Sequence, residues 1–343
     1  MFTDKEKFAM KVIGFGDFLI HFSPIMDERL MQANLMQMSF TGAEANVCSA
    51  LGLWGESVGF VTRLPDHLLA NRGISFLRSL SVNTDNIQIG DGRMGTYYLE
   101  KGRGIRPSVV IYDRNYSAFT LSDFNDYDWE SIFDGCEYFY LSGITPALSE
   151  SVAECCVKAA SRASARGIKV IYDVNYRPKL KSSRESADML MRLSPYLTHL
   201  IGNEEHFKLL LELGSEFGEA ERYSRLFDIA EKVRRKTKID NVSITVRRTP
   251  SASAAVFSAA YMSNGDFALS DEYKLDVVDR VGSGDAFSAG LVYSLLHGFG
   301  VEETVRFAAA SCAMKHAITN DVNFSSVSEI LAIIEKNTYD VKR

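Results

Sequence analysis

Two glycines in three positions, followed at once by an aspartate, mark the stretch richest in possible chemistry: Asp279-Arg280-Val281-Gly282-Ser283-Gly284-Asp285-Ala286-Phe287. A strand-like run, Tyr273 to Val278, leads in, and a nearly unbroken apolar segment, Ala286 to Leu296, leads out. The pattern predicts a strand, a tight turn and a helix buried on most sides. A helix start leaves N–H groups without partners and carries partial positive charge, so Gly282, Ser283 and Gly284 form an anion cradle. A carboxylate inside such a cradle repels the anion, which makes sense if Asp285 handles a proton. Asp285 also suits a helix N-cap, and the loop alone leaves the two readings balanced.

Further polar groups stand where strand-like runs end: Ser142-Gly143-Ile144, Asp173-Val174-Asn175-Tyr176-Arg177, Asn203, and Thr245-Val246-Arg247. A separate hairpin pattern, Thr96 to Glu100 and Val109 to Tyr112 around the basic turn Lys101 to Pro107, concentrates Tyr97, Tyr98, Tyr112 and Arg114. No GxxxxGK[ST] occurs, which excludes a P-loop enzyme. No HExxH and no GxSxG occurs either. Gly14-Phe15-Gly16 falls short of a dinucleotide fingerprint, because Leu19 holds the third glycine position and no helix pattern follows. An anion cradle, a carboxylate and a cover that excludes water are the parts phosphoryl transfer needs.

The elements that must position these groups alternate along the chain. Lys11 to Asp17 opens a strand that Phe18 to Phe22 can continue, and Thr41-Gly42-Ala43-Glu44-Ala45-Asn46 is a helix entry. From Asp128 onward short strands alternate with helices, which predicts an α/β fold with a mainly parallel sheet covered by helices on both faces. Ligands in such folds bind beyond the carboxyl ends of the strands. Gly214 to Ser224 reads as a polar loop. A length of 343 residues suits one large α/β domain with a small appendage. The formal charge of −6, from 38 basic and 44 acidic residues, argues against a nucleic-acid partner. No apolar run approaches the ~20 residues of a membrane span, and the first residues lack a signal-peptide core. Five cysteines without CxxC spacing suggest neither a disulfide framework nor a zinc site, and the expected setting is the reducing cytoplasm.

Asp279 to Phe287 resembles the DTxGAGD motif of ribokinase-like (PfkB-type) sugar kinases, and Thr41 to Asn46 resembles their N-terminal glycine motif. The order of elements agrees over essentially the whole chain. Within the family the likeness is greatest to the 2-keto-3-deoxygluconate kinases, carried by Val278 to Asp285, Arg106 to Arg114 with Ser117-Ala118, and Tyr172 to Arg177. The resemblance implies a single ribokinase-like domain over residues 1–343, with a β-sheet lid from roughly 18–41 and 92–120. It implies Asp285 as catalytic base and Gly282, Ser283 and Gly284 as the turn that holds the transferred phosphoryl. Gly42, Asn46, Tyr97, Tyr112, Arg114, Ile144, Arg177 and Asp321 match sugar-contacting positions. Asn175, Asn203, Thr245 and Arg247 fall where the family meets ATP. The expected substrates are an acid sugar and ATP with Mg²⁺, in a homo-oligomer built through lid strands.

An acid sugar carries a carboxylate, for which the planar fork of arginine is the best partner, and Arg114 and Arg177 supply two. Both could instead sit in surface ion pairs. Three departures from the family pattern stand out. His206 replaces the usual glutamate of Asn-x-x-Glu, which leaves Glu205 as the candidate for a contact to Mg²⁺ through water. Thr41 opens the glycine pair, and Arg247 replaces the glycine of Thr-x-Gly. A neutral-sugar kinase and a non-catalytic sugar- or nucleotide-binding regulator remain as alternatives.

Overall fold

Tyr138–Ser142 is fully buried, and its side chains divide between two cores by simple alternation. Phe139 and Leu141 join one core, Tyr138 and Tyr140 the other. Residues buried on both faces are what a central parallel strand requires. The computed structural model describes residues 10–213 and 221–335. Its strands are β1 Val12–Phe15, β2 Leu19–Pro24, β3 Met36–Thr41, β4 Val58–Val61, β5 Arg63–Leu64, β6 Gln88–Ile89, β7 Gly95–Glu100, β8 Val109–Asp113, β9 Tyr138–Ser142, β10 Lys169–Asp173, β11 His199–Asn203, β12 Asn241–Ser251, β13 Ala254–Ser263, β14 Asp266–Leu269 and β15 Tyr273–Asp276. Its helices are α1 Ala43–Leu53, α2 Leu68–Ser79, α3 Trp129–Ile132, α4 Glu150–Ala165, α5 Ser183–Leu193, α6 Glu204–Leu210, α7 Arg222–Thr237, α8 Ser283–Leu296, α9 Val301–Lys315 and α10 Val327–Ile334.

The main sheet runs β14-β13-β12-β11-β10-β9-β1-β4, with β15 also on β13. Strands β4, β1, β9, β10, β11 and β12 are parallel, and β13 to β15 extend them antiparallel. Helices α4, α5 and α7 pack one face, and α1, α8 and α9 the other. Helix α8 is apolar all round because it is enclosed: a Cβ on Gly290 would stand 2.7 Å from Ala308 Cα of α9. A second sheet, β3-β2-β7-β8, stands apart from the first. The described helices include none long and apolar enough to cross a membrane.

Several boundaries differ from the sequence reading. Residues 11–22 are two strands in different sheets, β1 in the main one and β2 in the small one. At the crossing, a Cβ on Gly16 would meet the Glu44 carboxylate at 2.1 Å, so a side chain there would have to displace Glu44. Helix α8 begins at Ser283, and its N-cap is Gly282 in the left-handed region (φ 73°). Asp285 therefore lies inside the first turn, and the N-cap reading of it falls. Strand β15 stops at Asp276, short of Val278. Strand β12 runs on to Ser251, so Thr245 and Arg247 lie within a strand and not at its end. Of the expected polar loop, residues 214–220 lie outside the described residues, and Arg222 to Ser224 already belong to α7.

Candidate active site

The carboxyl ends of β9, β10 and β11 and the start of α8 open onto a cleft of about 790 Å³, roofed by the small sheet. All seventeen sequence-predicted site residues, Glu205 included, line it. Asp285 sits at its floor, 9% exposed. Asn46 Nδ2 donates to Asp285 Oδ2 at 2.7 Å, and Thr41 Oγ1 donates to Asn46 Oδ1 at 3.1 Å. The first turn of α1 thus aims an amide at the first turn of α8. Burial pushes the Asp285 carboxyl up to about 7, against the Asn46 hydrogen bond and with help from the charge of Asp173. Burial also pushes Asp173, at the end of β10, up to about 6.

The cradle is shaped by two glycines with opposite surroundings. A Cβ on Gly282 would stand 1.9 Å from Asp321 O, so only glycine fits. A Cβ on Gly284 would meet nothing within 4 Å, so its backbone faces open cleft. Asp279, first residue of this loop, accepts from Val281 N and Asn320 N, both at 3.2 Å, and pairs with Lys101 at 2.8 Å. Lys101 directly follows β7, so this ion pair ties the small sheet to the cradle.

Beneath the small sheet the polar groups are buried and mostly paired, although His21 Nε2 has no hydrogen-bond partner among the described residues. His21 Nδ1 bonds Asp321 Oδ2 at 2.7 Å, and Tyr97 OH donates to Asp321 Oδ1 at 2.5 Å. The His21 and Tyr97 rings stack at 4.3 Å. Burial alone would raise Asp321, but His21 and then Tyr97 bring it below the usual carboxylate range. Arg114 donates from Nε and Nη2 to Asp17 Oδ2 at 3.2 and 3.0 Å. Its ion pair is buried, not on the surface. Its guanidinium also lies 5.8 Å from the Tyr112 ring centroid.

Toward the ends of β10 to β12 the picture changes. Asn175 adopts a left-handed φ of 36°, its N–H donating to Asp173 Oδ1 at 3.0 Å, and this turn projects Arg177. Arg177 donates to Tyr176 O at 3.2 Å and joins no ion pair among the described residues. Arg247 is exposed on β12. Between them His206, edge-on to Tyr176 at 5.6 Å, is pulled down to about 4 by burial and then by the charges of Arg177 and Arg247. Asn203 caps α6, its Oδ1 accepting from His206 N at 2.7 Å, while its partner across the sheet is Thr245. Glu205 is 83% exposed and 3.7 Å from Lys208. Among the described residues no three His, Cys, Asp or Glu side chains gather as metal ligands.

Sequence reasoning missed Asp17, His21, Lys101 and Glu44. The first two were detectable as charged or titratable residues inside an apolar strand run. Glu44 ties α1 to the end of β9, accepting from Ser142 N, Ser142 Oγ and Thr145 Oγ1 at 2.6–2.9 Å.

A main sheet with helices on both faces, a small accessory sheet and a cleft between them define a ribokinase-like α/β fold. Residues 10–322 match the pfkB family of carbohydrate kinases, and the chain belongs to that family. It superposes on the crystal structure of 2-dehydro-3-deoxygluconokinase from Thermotoga maritima with a TM-score of 0.92 and 37% identity, covering 95% of this chain and 100% of that one. It is 30% identical over 333 residues to the 2-dehydro-3-deoxygalactonokinase of Haloferax volcanii, covering 97% of this chain and 99% of the relative. It is 28% identical over 302 residues to the 5-dehydro-2-deoxygluconokinase of Shouchella clausii, covering 86% of each.

Proposed function

We propose that this carbohydrate kinase transfers the γ-phosphoryl group of ATP to the terminal hydroxyl of 2-keto-3-deoxygluconate, giving the 6-phosphate. The observation that carries the acid-sugar reading is Arg177, a guanidinium that joins no ion pair among the described residues, in the cleft that holds Asp285. An unpaired arginine suits a substrate carboxylate, which it can meet through two parallel hydrogen bonds. The names of the three relatives all specify acid sugars, which supports the same class.

In this reading Asp285 Oδ2 is held by Asn46, and Oδ1 faces the substrate hydroxyl. The hydroxyl oxygen bonds to the γ-phosphorus, the bond to the ADP oxygen breaks, and the proton passes to Asp285 as the hydroxyl turns acidic. The backbone N–H groups of the Gly282 to Asp285 turn form the anion hole for the oxygens of the moving phosphoryl. Gly42, Tyr97, Tyr112, Arg114, Ile144 and Asp321 shape the sugar pocket. Asn175, Asn203, Thr245 and Arg247 meet the nucleotide. The open cradle and Arg247, which joins no ion pair among the described residues, fit a polyphosphate, and Mg²⁺ bound to its phosphates would neutralise their charge, with Glu205 in contact through water. The small sheet acts as the lid, and its edge strands β3 and β8 pair with a second copy to form a homo-oligomer. Five free cysteines suit the reducing cytoplasm.

The test is ADP production from ATP and Mg²⁺ with a panel of sugars. Ketodeoxygluconate, its galactonate epimer, fructose and ribose are compared side by side. A strong preference for fructose or ribose sinks the acid-sugar reading, and no turnover with any sugar sinks catalysis altogether. Light scattering of the eluted protein reports the oligomer.

A further inference from the structure

Lys315, the last residue of α9, is fully buried, yet the chemistry above makes no use of it. Taking an ammonium out of water costs several kcal/mol unless nearby charge and hydrogen bonds compensate. Its Nζ donates to Ile318 O at 2.9 Å. Burial pulls the group down, while Asp279, then Asp321, then Asp285 push it back up against a smaller opposing effect of Lys101. The three carboxylates are the first residue of the cradle loop, the partner of His21 and Tyr97, and the base. The helix end adds its own negative pole beneath the ammonium.

The segment that Lys315 begins is also the wall on which the cradle rests. Val278 N and Asp279 N donate to His316 O at 2.8 and 3.2 Å, and Asn320 N donates to Asp279 Oδ2. Asp321 O lies where a Gly282 Cβ would be. We propose that Lys315 is a positioning residue for phosphoryl transfer: its buried ammonium offsets the carboxylates around the cradle and holds the Ile318 to Asp321 turn against Gly282. A phosphoryl group entering beside three carboxylates then meets a cradle whose charge is balanced from behind. The inference rests on the kinase reading, and a wild-type enzyme that turned over no sugar would fail that reading before any variant is compared.

The experiment combines steady-state kinetics, circular dichroism and chemical rescue. Lys315→Met should fold, lose about 10²-fold in kcat and raise KM for ATP, with KM for the sugar changed about twofold at most. Lys315→Ala should recover activity with methylammonium, which returns a cation to the cavity, and not with ethanol. The proposal falls if Lys315→Met keeps wild-type kcat and KM for ATP, or if ethanol rescues as well as methylammonium, since packing alone would then suffice. Should Lys315→Met not fold, Lys315→Met/Asp279→Asn removes the matching negative charge. Recovery of folding in that double variant supports charge balance, and continued failure to fold overturns it.

Discussion

The two ends of the cleft treat charge in opposite ways. Beneath the small sheet Asp321 is engaged by His21 and Tyr97, and Arg114 by Asp17, all of them buried. Beyond the end of β10 and along β12, Arg177 and Arg247 stand partly or fully exposed, and burial favours the neutral form of the histidine between them. A buried network must be satisfied by the protein itself before any ligand arrives, because an unpaired charge there would be costly. An exposed pair of guanidiniums can wait in water for the charge a ligand brings. One end is therefore preassembled, and the other, on the proposed function, is completed by its substrates.

Asp285, the proposed base, lies between the two ends, and its removal should have the largest effect. Asp285→Asn should lower kcat by about 10²–10⁴-fold while ATP binding persists. Turnover near the wild-type value would remove Asp285 from the chemistry. Next comes a contrast between arginines. Arg114→Met strands the buried Asp17 carboxylate and should cost about 3–5 kcal/mol of stability, read as a large fall in Tm. Arg177→Met should leave Tm in place and raise KM for the acid sugar, on the order of tenfold or more, from loss of a charge-assisted hydrogen bond. If both variants melted alike, the distinction between preassembled and ligand-completed ends would be wrong.

That distinction was only half legible in the sequence. The cradle announced itself through Gly282 and Gly284 beside Asp285, because local backbone demands leave local signals. The strand and helix alternation was readable for the same reason, since each strand buries both faces. The pairs that preassemble the far end are 97 and 300 residues apart in sequence. They exist because the chain leaves the main sheet after Phe15 and enters the small one at Leu19, a crossing that apolar continuity through Phe22 concealed. Strand β12 looked short because Arg247, Arg248 and Thr249 face water along its far half. Lys315 carries no sequence signal that distinguishes it, and only its burial sets it apart.

A pH series sharpens the role of the base further. The folded pKa of Asp285 is raised to about 7, so burial favours its neutral form. The associated stability is complete below the ordinary carboxylate pKa and is lost as pH climbs through about 7. The proposed role as base needs the anion, so kcat/KM should rise over the window in which stability falls. Asp173, raised to about 6, adds to the same decline in stability. Asp285→Asn should reduce that decline without abolishing it, so its Tm should gain on wild type between pH 5 and pH 8 as measured by thermal melts. Parallel Tm curves would mean that Asp285 is not held in its neutral form by the fold.

The smallest effect is expected at the rim. Glu205 is largely exposed beside Lys208, in a geometry where an ion pair contributes about 0–1 kcal/mol. A contact to Mg²⁺ through water from such a side chain competes with bulk solvent at every step. Glu205→Gln should therefore shift the Mg²⁺ concentration for half-maximal activity by about threefold or less, and leave KM for the sugar unchanged. A shift of an order of magnitude would place a preassembled metal contact at the end described here as completed by its ligands. That result would break the contrast between the two ends at its weakest point.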